Sequence, residues 1–532
     1  MSLYLLDYGG GNVRSLLNAV EKLGFNITPI QSAEDFDKAD QIIFPGVGNF
    51  GTAMTSLQNK GFIEPLKNYI QKGGKFFGIC VGMQCLFESS EEFTETPGLG
   101  IIPGKVSRFN SATKSVPHMG WNYTEMNSNP EFNQYYYFVH SFAVQNNEAS
   151  KDWVFSTTTY EDETFISSVK KGNLLATQFH PEKSGIAGLQ LINWFLTGST
   201  NPSLATNSTI QKPLGNPLTK RVIACLDVRT NDQGDLVVTK GDQYDVREKE
   251  GDNEVRNLGK PVELATRYFL EGADEVTFLN ITSFRNSPLK DLPMLQILEL
   301  TSKQVFIPLT IGGGIRETVD PDGTIHSASE VAGTYFRSGA DKVSIGGDAV
   351  IAAENYYKNG GKLDGSSAIE SISMVYGNQA VVISVDPRRV YVKDPSETTH
   401  ATVKAIKPDA EGREYCWYQC SIKGGREFRD LDVVQLVKAC EALGAGEILL
   451  NCIDQDGTNS GYDTALISQV KQAVSIPVIA SSGAGKVEHF SEVFDKTNVD
   501  AALAAGIFHR EEVPIQSVKN HLIQQGLSIR PV

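Results

Sequence analysis

The sequence predicts two α/β units in one chain, a doubly wound α/β domain followed by a (β/α)8 barrel. Short apolar runs alternate with helical patterns along most of the 532 residues, which is typical of α/β folds. A segment rich in Ser, Thr, Asn, Pro and Gly interrupts this alternation at 198–219. Beyond the segment, apolar runs recur as two similar sets of four, which indicates a barrel built from two halves.

The first domain begins with three apolar runs, LYLLDY, QIIFPGVG and KFFGIC, each followed by a helical pattern. Because parallel strands need long crossover connections, this order predicts a doubly wound sheet that continues to about Trp194. We assign residues 1–200 to this domain and residues 201–217 to a linker. Residues 218–532 then form the second domain.

An internal repeat supports the barrel. GADEVTFLNIT (272–282) resembles GAGEILLNCID (444–454), and IPLTIGGG (307–314) resembles IPVIASSG (476–483). The predicted barrel strands are the near-continuous apolar runs at 222–227, 276–281, 307–311, 343–346, 381–386, 448–453, 476–480 and 501–505. Residues 387–430 form a long insertion after the fifth strand, which we interpret as a hairpin over the barrel mouth.

Composition excludes several classes of function. A net charge of −15 argues against a nucleic-acid surface, and the seven scattered cysteines do not form a disulfide framework. Cys416 and Cys420 have a loose metal-like spacing without a second Cys/His pair nearby, so we expect no metal. The N-terminus, MSLYLLDYGGG, has neither a basic leader nor a long apolar stretch. We therefore expect a cytoplasmic protein without a membrane partner.

Cys80 is a candidate nucleophile. It lies between Gly78 and Gly82, where an apolar run ends and a helical pattern begins. A sharp turn between a strand and a helix exposes a reactive side chain. His180 and Glu182 are candidates for the base and its orienting carboxylate, because residues two apart on a strand share a face. The residues alone also allow a core cysteine beside a solvated loop.

The motifs GICVGMQ, HPEKSG and PGVGNFG together resemble the class I glutamine amidotransferase family over residues 1 to about 200. The resemblance implies that Cys80 forms a glutamyl thioester, with His180 as base and Glu182 as its partner. It also implies an oxyanion hole made by backbone amides. These amides lie near Gly46 and Gly48, and Gln84 with the HSF segment, His140, Ser141 and Phe142, is implied to help hold glutamine.

Two aspartates lie where barrel strands are predicted to end, which is where barrel enzymes place their chemistry. Asp227 ends the first strand and Asp386 the fifth, so they should face each other across the barrel mouth. A pair of carboxylates suits general acid–base work on a nitrogen-rich substrate. Solvated or helix-capping aspartates are the alternative.

Glycine-rich turns follow the third, fourth, seventh and eighth predicted strands. Such turns present backbone N–H groups to phosphate, and their duplication predicts a substrate with a phosphate at each end. The residues expected to bind these phosphates are Gly313, Gly314, Gly346, Ser481, Ser482, Gly483 and Gly506.

RVIACLDV, VVTKGDQ, LTIGGGI, GAGEILLNCIDQDGTNSGYD and IPVIASSGAG resemble the cyclase barrel of the imidazole glycerol phosphate synthase family over residues 218–532. Joined to a glutaminase, the chain looks like the fused, bifunctional form used in histidine biosynthesis. The resemblance implies that glutamine-derived ammonia converts phosphoribulosyl-formimino-AICAR phosphate into imidazole glycerol phosphate and AICAR ribotide, with glutamate as co-product. It implies acid–base roles for Asp227 and Asp386, and substrate contacts for Lys240 and Asp454. No cofactor and no separate protein partner are implied.

Four predicted strands begin with a charged residue just ahead of the apolar run: Arg221, Glu275, Lys342 and Glu447. Two cations and two anions at one end of a closed barrel can pair as a ring. Ordinary solvated charges are the alternative. The family resemblance favours the ring, because these positions match a charged ammonia gate that faces the glutaminase.

Two other functions are compatible with parts of the sequence. A sugar-phosphate isomerase barrel with an attached glutamine-sensing domain would share the half-barrel repeat and the two aspartates, yet it would have no use for ammonia. A sensor with a decayed glutaminase would not need an intact Cys80, His180 and Glu182.

Overall fold

The structure is a computed structural model of the 532-residue chain. It describes residues 2–126, 128–204, 213, 215, 217–230, 236–238, 261–280, 289 and 293–532. Lys240, predicted as a substrate-binding residue, and most of the predicted linker lie outside the described residues. The domain boundaries therefore stay a prediction.

The first domain is built on a mixed sheet of strand order β2-β1-β3-β4-β13-β12-β11-β8-β9, parallel from β2 to β13 and antiparallel beyond. A second sheet has the order β10-β7-β5-β6. The strands are β1 Leu3–Leu5, β2 Thr28–Pro29, β3 Gln41–Phe44, β4 Lys75–Ile79, β5 Ser89–Ser90, β6 Phe93–Pro97, β7 Lys105–Arg108, β8 His118–Met126, β9 Gln134–His140, β10 Phe142–Val144, β11 Val154–Tyr160, β12 Glu163–Lys171 and β13 Leu174–Thr177. The helices are α1 Arg14–Lys22, α2 Asp35–Lys38, α3 Phe50–Asn59, α4 Ile63–Gln71, α5 Val81–Gln84 and α6 Gly185–Thr197.

The second domain is a closed parallel barrel, because its last strand pairs with its first. Its eight strands are β14 Arg221–Thr230, β16 Glu275–Asn280, β17 Leu309–Gly312, β20 Lys342–Ile345, β21 Val381–Val385, β26 Glu447–Asn451, β27 Val478–Ser481 and β28 Ala501–Ala504. A short strand, β15 Leu236–Val238, pairs antiparallel with the end of β14, and β18 Thr318–Val319 pairs with β19 Ile325–His326. The helices are α7 Pro261–Leu270, α8 Pro293–Ser302, α9 Ala328–Ser338, α10 Gly347–Lys358, α11 Ala368–Tyr376, α12 Val433–Leu443, α13 Thr464–Ala473, α14 Val487–Thr497, α15 Gly506–His509 and α16 Ile515–Gln524. The predicted fold class is confirmed.

The period of two along each strand separates the barrel lumen from its outer core. On β14, Val222, Ala224 and Leu226 join the large core beneath the helices, whereas Ile223 and Cys225 join a separate apolar cluster inside the barrel. The other buried members of that inner cluster are Val382, Leu449, Ile479, Ala501 and Leu503. Side chains at 221 and 227 continue the inward-facing series, so a charged ring and Asp227 lie at opposite ends of an apolar lumen.

The insertion after the fifth strand is a four-stranded antiparallel sheet, so the predicted hairpin is wrong in detail. Its strands are β22 Pro387–Val392, β23 Thr402–Lys404, β24 Tyr415–Ile422 and β25 Glu427–Asp432. The central strand, β24, carries buried Cys416, Tyr418 and Cys420 on one face. This alternation gives the inserted sheet an apolar face that packs against the barrel helices. A two-stranded hairpin would leave such a face exposed.

The first domain contacts the barrel at the end where the strands begin. Lys183 Nζ lies 2.7 Å from Asp341 Oδ2, just before β20, and the backbone N–H of Gly185 donates to the carbonyl of Phe306 (2.9 Å), before β17. Trp121 Nε1 donates to the carbonyl of Asp274 (3.2 Å), just before β16. The glutaminase-like domain therefore covers the amino-terminal face of the barrel.

Within the described residues, no helix combines the length and the apolar character needed to cross a membrane.

Candidate active sites

Cys80 lies on a strained turn between β4 and α5. Its φ of 52° and ψ of −107° place it in a region that residues with a side chain rarely adopt. The turn depends on small neighbours: a Cβ at Gly82 would lie 2.0 Å from the carbonyl oxygen of Phe44, and one at Gly78 would lie 2.7 Å from that of Gly82. The glycines that flank the cysteine therefore permit this sharp turn.

His180 and Glu182 are in contact, with Nδ1 of the imidazole 2.8 Å from Oε1 of the carboxylate. The expectation that they share a strand is wrong. β13 ends at Thr177, and residues 181–183 form a 3₁₀ turn that begins at His180. Burial alone would lower the pKa of His180, but the charges of Glu182 and Cys80 outweigh it and raise that pKa well above its usual value. His180 Nε2 has no hydrogen-bond partner within the described residues.

Gln84 and Phe142 lie beside the nucleophile. Gln84 Nε2 donates to the carbonyl of Phe142 (2.9 Å) and to Oε1 of Gln178 (3.1 Å). Gln178 Nε2 donates to Cys80 Sγ (3.4 Å), so an amide chain runs from Phe142 to the thiol. Ser141 lies between β9 and β10, directly before Phe142. Gln178 was not identified from the sequence, because its position two residues before His180 carries no recognisable signal.

Gly46 and Gly48 follow β3 on the loop that faces the Cys80 turn. The carbonyl of Gly46 accepts from the N–H of Val81 (3.4 Å), and a Cβ at Gly46 would lie 2.6 Å from Cβ of Val81. Gly48 has a φ of +145°, which favours glycine. The predicted oxyanion residues thus lie next to the nucleophile.

Glu92 is a further charged group at this site that the sequence analysis missed. Its carboxylate accepts from the N–H of Phe50 (2.7 Å) at the start of α3, and burial raises its pKa to about 7. Its charge contributes to the raised pKa of Tyr8 and of Cys85. Because Glu92 stands in the run ESSEE, its sequence context resembles an ordinary solvated stretch.

The four predicted gate residues form a closed ring of ion pairs. Arg221 Nη1 lies 3.0 Å from Glu275 Oε2, and Arg221 Nη2 also pairs with Glu447. Lys342 Nζ lies 2.7 Å from Glu275 Oε1 and 2.6 Å from Glu447 Oε2. Each side chain is at most 1% exposed, so the charges are not solvated. Met119 from the first domain touches the ring, with Sδ 3.5 Å from Lys342 Nζ.

Tyr137 connects the ring to the first site. Its backbone carbonyl accepts from the N–H of His180 (2.9 Å). Burial, followed by the charge of Glu275, raises the pKa of its hydroxyl, which has no hydrogen-bond partner in the described part of the chain. Tyr137 therefore lies between the histidine of the first site and the entrance of the barrel.

The two barrel aspartates lie at the opposite end of the lumen. Asp227 lies within β14, which continues to Thr230, and burial together with the charge of Asp456 raises its pKa to about 7. Asp386 directly follows β21, and burial raises its pKa although Asn451 Nδ2 donates to its Oδ1 (2.9 Å). Carboxyls with raised pKa values can exchange protons near neutral pH.

The predicted phosphate-binding residues all lie at the carboxyl ends of barrel strands. Gly313 and Gly314 follow β17, with φ values of +98° and +75°, and Gly346 follows β20 directly before α10. Ser481 ends β27 and Ser482 has a strained φ of +74°. A Cβ at Gly483 would lie 2.2 Å from the carbonyl oxygen of Gly461. Gly506 begins α15 after β28.

Asp454 is exposed and its Oδ2 accepts from the backbone N–H of Arg389 (2.7 Å) in the inserted sheet. Arg389 also binds Asp463, with its Nη2 2.6 Å from Oδ2, and its Nη2 donates to Gln455 Oε1 (3.1 Å). The inserted sheet therefore holds the loop that follows β26. Arg389 was not recognised from the sequence.

The described residues contain no group of three or more His, Cys, Asp or Glu side chains arranged to hold a metal ion.

Two family models match the chain. Residues 4–197 match the class-I glutamine amidotransferase family, and residues 221–514 match the family described as histidine biosynthesis protein. An imidazole glycerol phosphate synthase hisHF of Schizosaccharomyces pombe is 58% identical over 100% of both chains, and one of Emericella nidulans is 56% identical over 99% of both. A protein of Arabidopsis thaliana named imidazole glycerol phosphate synthase hisHF, chloroplastic, is 56% identical over 99% of this chain and 89% of its own.

These names do not favour the isomerase-and-sensor alternative, because the full-length relatives carry both domains and are named as synthases. With its two domains fused as in those relatives, the chain belongs to the imidazole glycerol phosphate synthase hisHF family.

Proposed function

We propose that this chain, an enzyme of histidine biosynthesis by its family, releases ammonia from glutamine at Cys80 and closes an imidazole ring with it in the barrel. The observation that carries the proposal is the placement of two reactive sites at opposite ends of one apolar lumen, with a buried charged ring between them.

The first half of the reaction takes place at Cys80. The charge of Glu182 raises the pKa of His180 despite burial, so the imidazole can accept the proton of the Cys80 thiol as the sulfur attacks. The thiolate adds to the carboxamide carbon of L-glutamine, and backbone amides near Gly46 and Gly48 stabilise the oxyanion. His180 then protonates the departing nitrogen, which leaves as ammonia. Water hydrolyses the thioester to glutamate, and Glu182 orients the imidazole throughout.

Glu92 is suited to bind the ammonium group of glutamine, at the end opposite the carboxamide. It is a carboxylate held next to the site by the N–H of Phe50 and is largely shielded from solvent. A substrate ammonium group would favour its ionised form and would gain a charge-assisted hydrogen bond. Gln84, Ser141 and Phe142 would contact the remaining polar atoms.

Ammonia would then enter the barrel through the ring. Its path starts near His180, passes Tyr137 and Met119, crosses the ring and follows the apolar cluster around Ile223 and Cys225. At about 3.3 Å per residue, the six residues from Arg221 to Asp227 span roughly 20 Å. An apolar lumen admits neutral ammonia and excludes ammonium, because desolvating a charge is costly.

The second half of the reaction uses Asp227 and Asp386 as acid and base. The glycine-rich turns would hold the two phosphates of phosphoribulosyl-formimino-AICAR phosphate, so that its carbon chain lies across the barrel mouth between the aspartates. Attack of ammonia, loss of one water and proton transfers would close the imidazole ring and release AICAR ribotide, which leaves imidazole glycerol phosphate as the second product. Asp454 and Lys240 are proposed as further substrate contacts.

Both activities lie in one chain, so their coupling requires no separate protein subunit. We place the first domain at residues 1–200, the linker at 201–217 and the barrel at 218–532. A cytoplasmic location remains our proposal, since one relative is named chloroplastic.

The experiment is an isotope competition. The protein is incubated with ¹⁵N-amide glutamine, the bis-phosphate substrate and an excess of unlabelled ammonium near neutral pH. Mass spectrometry then measures the ¹⁵N content of the imidazole product. Channelling predicts that most product carries ¹⁵N. Product with the isotope ratio of the bulk solution would contradict the channel.

Two matched variants identify the nucleophile. Cys80→Ala should abolish glutamine-dependent synthesis and retain synthesis from ammonium, whereas Cys85→Ala removes a buried thiol five residues away and should retain both. Loss of both activities in folded Cys80→Ala would contradict the two-site mechanism.

A further inference from the structure

Two buried histidines near the glutamine site have no part in the mechanism described so far. His118 begins β8 and His140 ends β9, and they are directly opposed in that antiparallel pair. Nδ1 of His118 lies 3.1 Å from Nε2 of His140. Their side chains are at most 3% exposed. The surrounding rings are those of Phe109, Phe138, Tyr160 and Phe165.

The histidine pair lies in the middle of a longer chain of polar contacts. At one end, His118 Nε2 lies 2.7 Å from Oδ1 of the Asn122 side-chain amide. At the other, His140 Nδ1 lies 2.8 Å from the carbonyl oxygen of Phe142. That carbonyl is the group that also accepts from Gln84, whose amide leads through Gln178 to Cys80.

The number of ring protons determines the direction of these hydrogen bonds. If Asn122 presents its oxygen to His118, the two imidazoles lie between two acceptors, and three hydrogen bonds require three ring protons. One histidine would then be a buried cation. Burial instead lowers the pKa of both rings, that of His118 to about 3, and the positive charge of Lys114 lowers the pKa of His118 further.

Exchanging the oxygen and nitrogen of the Asn122 amide removes this conflict. Asn122 Nδ2 then donates to Nε2 of His118, Nδ1–H of His118 donates to Nε2 of His140, and Nδ1–H of His140 donates to the carbonyl of Phe142. Each imidazole carries one proton and is neutral, and every bond in the chain has one donor and one acceptor.

We propose that His118 and His140 are positioning residues of the glutaminase site. Both rings are neutral Nδ1–H tautomers, so every hydrogen bond from Asn122 to the carbonyl of Phe142 donates in the same direction. These bonds fix the Phe142 carbonyl, and through it the amides of Gln84 and Gln178 beside Cys80. The catalytic consequence rests on the proposed glutaminase activity, whereas the proton arrangement is a property of the folded protein.

Two isosteric variants separate positioning from core packing. In His140→Asn the side-chain amide occupies the place of Nδ1 and still donates to Phe142. In His140→Gln it occupies the place of Nε2 and leaves the Phe142 carbonyl without this donor. Loss of one hydrogen bond corresponds to roughly a tenfold rise in KM for glutamine in His140→Gln. We expect KM within about threefold of the parent in His140→Asn.

Synthesis from ammonium serves as the control for folding, because it bypasses the first site, and it should be unchanged in both variants. Equal KM values for the Asn and Gln variants would overturn the positioning role. Failure of the unmodified protein to hydrolyse glutamine would overturn the proposed function instead.

The tautomers are tested independently by ¹⁵N NMR of the ¹⁵N-histidine-labelled full chain, with assignment by His118→Asn and His140→Asn. The expected spectrum at pH 7 has two neutral rings protonated on Nδ1. An imidazolium signal, or a proton on Nε2 of either ring, would overturn the proposed chain.

Discussion

At the scale of single residues, burial sets the chemistry of both sites. Glu92 and Asp227 each have a pKa raised to about 7, chiefly because their carboxyls are shielded from solvent. The pKa of His180 is also raised, but there the charges of Glu182 and Cys80 outweigh burial and favour the charged form of the side chain. A pKa near 7 allows the carboxyls of Glu92 and Asp227 to change their protonation state near neutral pH.

Glutamine binding should depend on pH through Glu92. A carboxyl with a pKa of about 7 is neutral below this value and no longer pairs with the substrate ammonium group. We therefore expect KM for glutamine to rise as pH falls from 8 to 6. Glu92→Gln should have a high KM that is constant over this range, and Glu88→Gln, which alters an exposed carboxylate nearby, is the control. A parent enzyme with constant KM would contradict the assignment.

Asp227→Asn and Asp386→Asn should both lose synthesis from glutamine and from ammonium. Each variant keeps the shape of the side chain and removes its proton acceptor, which typically costs ~10²–10⁴-fold in rate. Initial rates with the two nitrogen sources provide the measurement. Asp430→Asn, at a carboxylate that is 96% exposed, should retain both activities. Recovery of either active-site variant by ammonium would assign that residue to ammonia delivery.

Asp227 should also make the fold less stable at high pH. Between the ordinary value of 3.8 and about 7, folded Asp227 holds a proton that the unfolded chain releases, so stability falls as pH rises through this window. Asp227→Asn avoids this cost. Because the side chain is partly exposed, we expect a gain of roughly 1–4 kcal/mol in unfolding free energy at pH 8, vanishing below pH 4. Denaturant unfolding at both pH values measures it, and equal stability at pH 8 would contradict the raised pKa.

At the scale of elements, the inserted sheet supports the rim of the barrel. Arg389 on β22 reaches the loop after β26 through Asp463, Gln455 and Asp454. Asp463 also accepts from the hydroxyl of Tyr418 (2.9 Å) on β24 and from the N–H of Leu466 (3.1 Å) at the start of α13. One buried carboxylate thus joins the insertion, the loop and the following helix.

Arg389→Met should impair the barrel and largely spare the glutaminase. Removal of the guanidinium leaves the carboxylate of Asp463, which is 1% exposed, without its charged partner, and a broken buried pair typically costs about 3–5 kcal/mol. We expect a lower Tm and a raised KM for the bis-phosphate substrate with either nitrogen source. Steady-state kinetics measure the effect.

Arg388→Met is the matched control, because Arg388 stacks on Phe428, 3.4 Å from its ring centroid, and hydrogen-bonds Gln419 within the insertion. Equal losses in the two variants would show that the insertion stabilises the fold without organising the rim.

At the scale of the whole molecule, the charged ring lies at the junction of the two domains. It closes one end of the apolar lumen, contacts Met119 of the first domain and lies near Tyr137. Burying four charges is costly unless each is paired, and here every charged group has a partner of opposite sign. We propose that this ring separates the two sites and still admits a small neutral molecule such as ammonia.

Lys342→Ala should uncouple the two reactions without touching either active site. Glu275 and Glu447 would each lose one cation, which leaves the ring misshapen. We expect glutamine hydrolysis to continue while less ammonia reaches the product, so that glutamate formed per imidazole product rises above one. Parallel assays of glutamate and product measure the ratio. Lys404→Ala, at an exposed lysine of the insertion, is the control, and a ratio of one in folded Lys342→Ala would exclude gating by this lysine.

The sequence by itself determined the fold class and the place of Asp227 and Asp386 at the ends of barrel strands, and with the family resemblance it predicted the nucleophile and its partners. These inferences depend on local physics: strand and helix periods, the steric demands of the turn at Cys80, and the rule that chemistry lies where barrel strands end. The local patterns can be read from short windows, whereas the barrel also required the repeat between its two halves.

The tertiary structure alone decided which distant groups meet. The inserted sheet brings Arg389 to Asp463, 74 positions away, and the pairing of β8 with β9 places His118 opposite His140. The 3₁₀ turn at His180, the half-buried Glu92 and the four-stranded insertion also have no local signature. Contacts of this kind depend on the packing of the entire chain, because burial and pairing are set by neighbours that are remote in sequence.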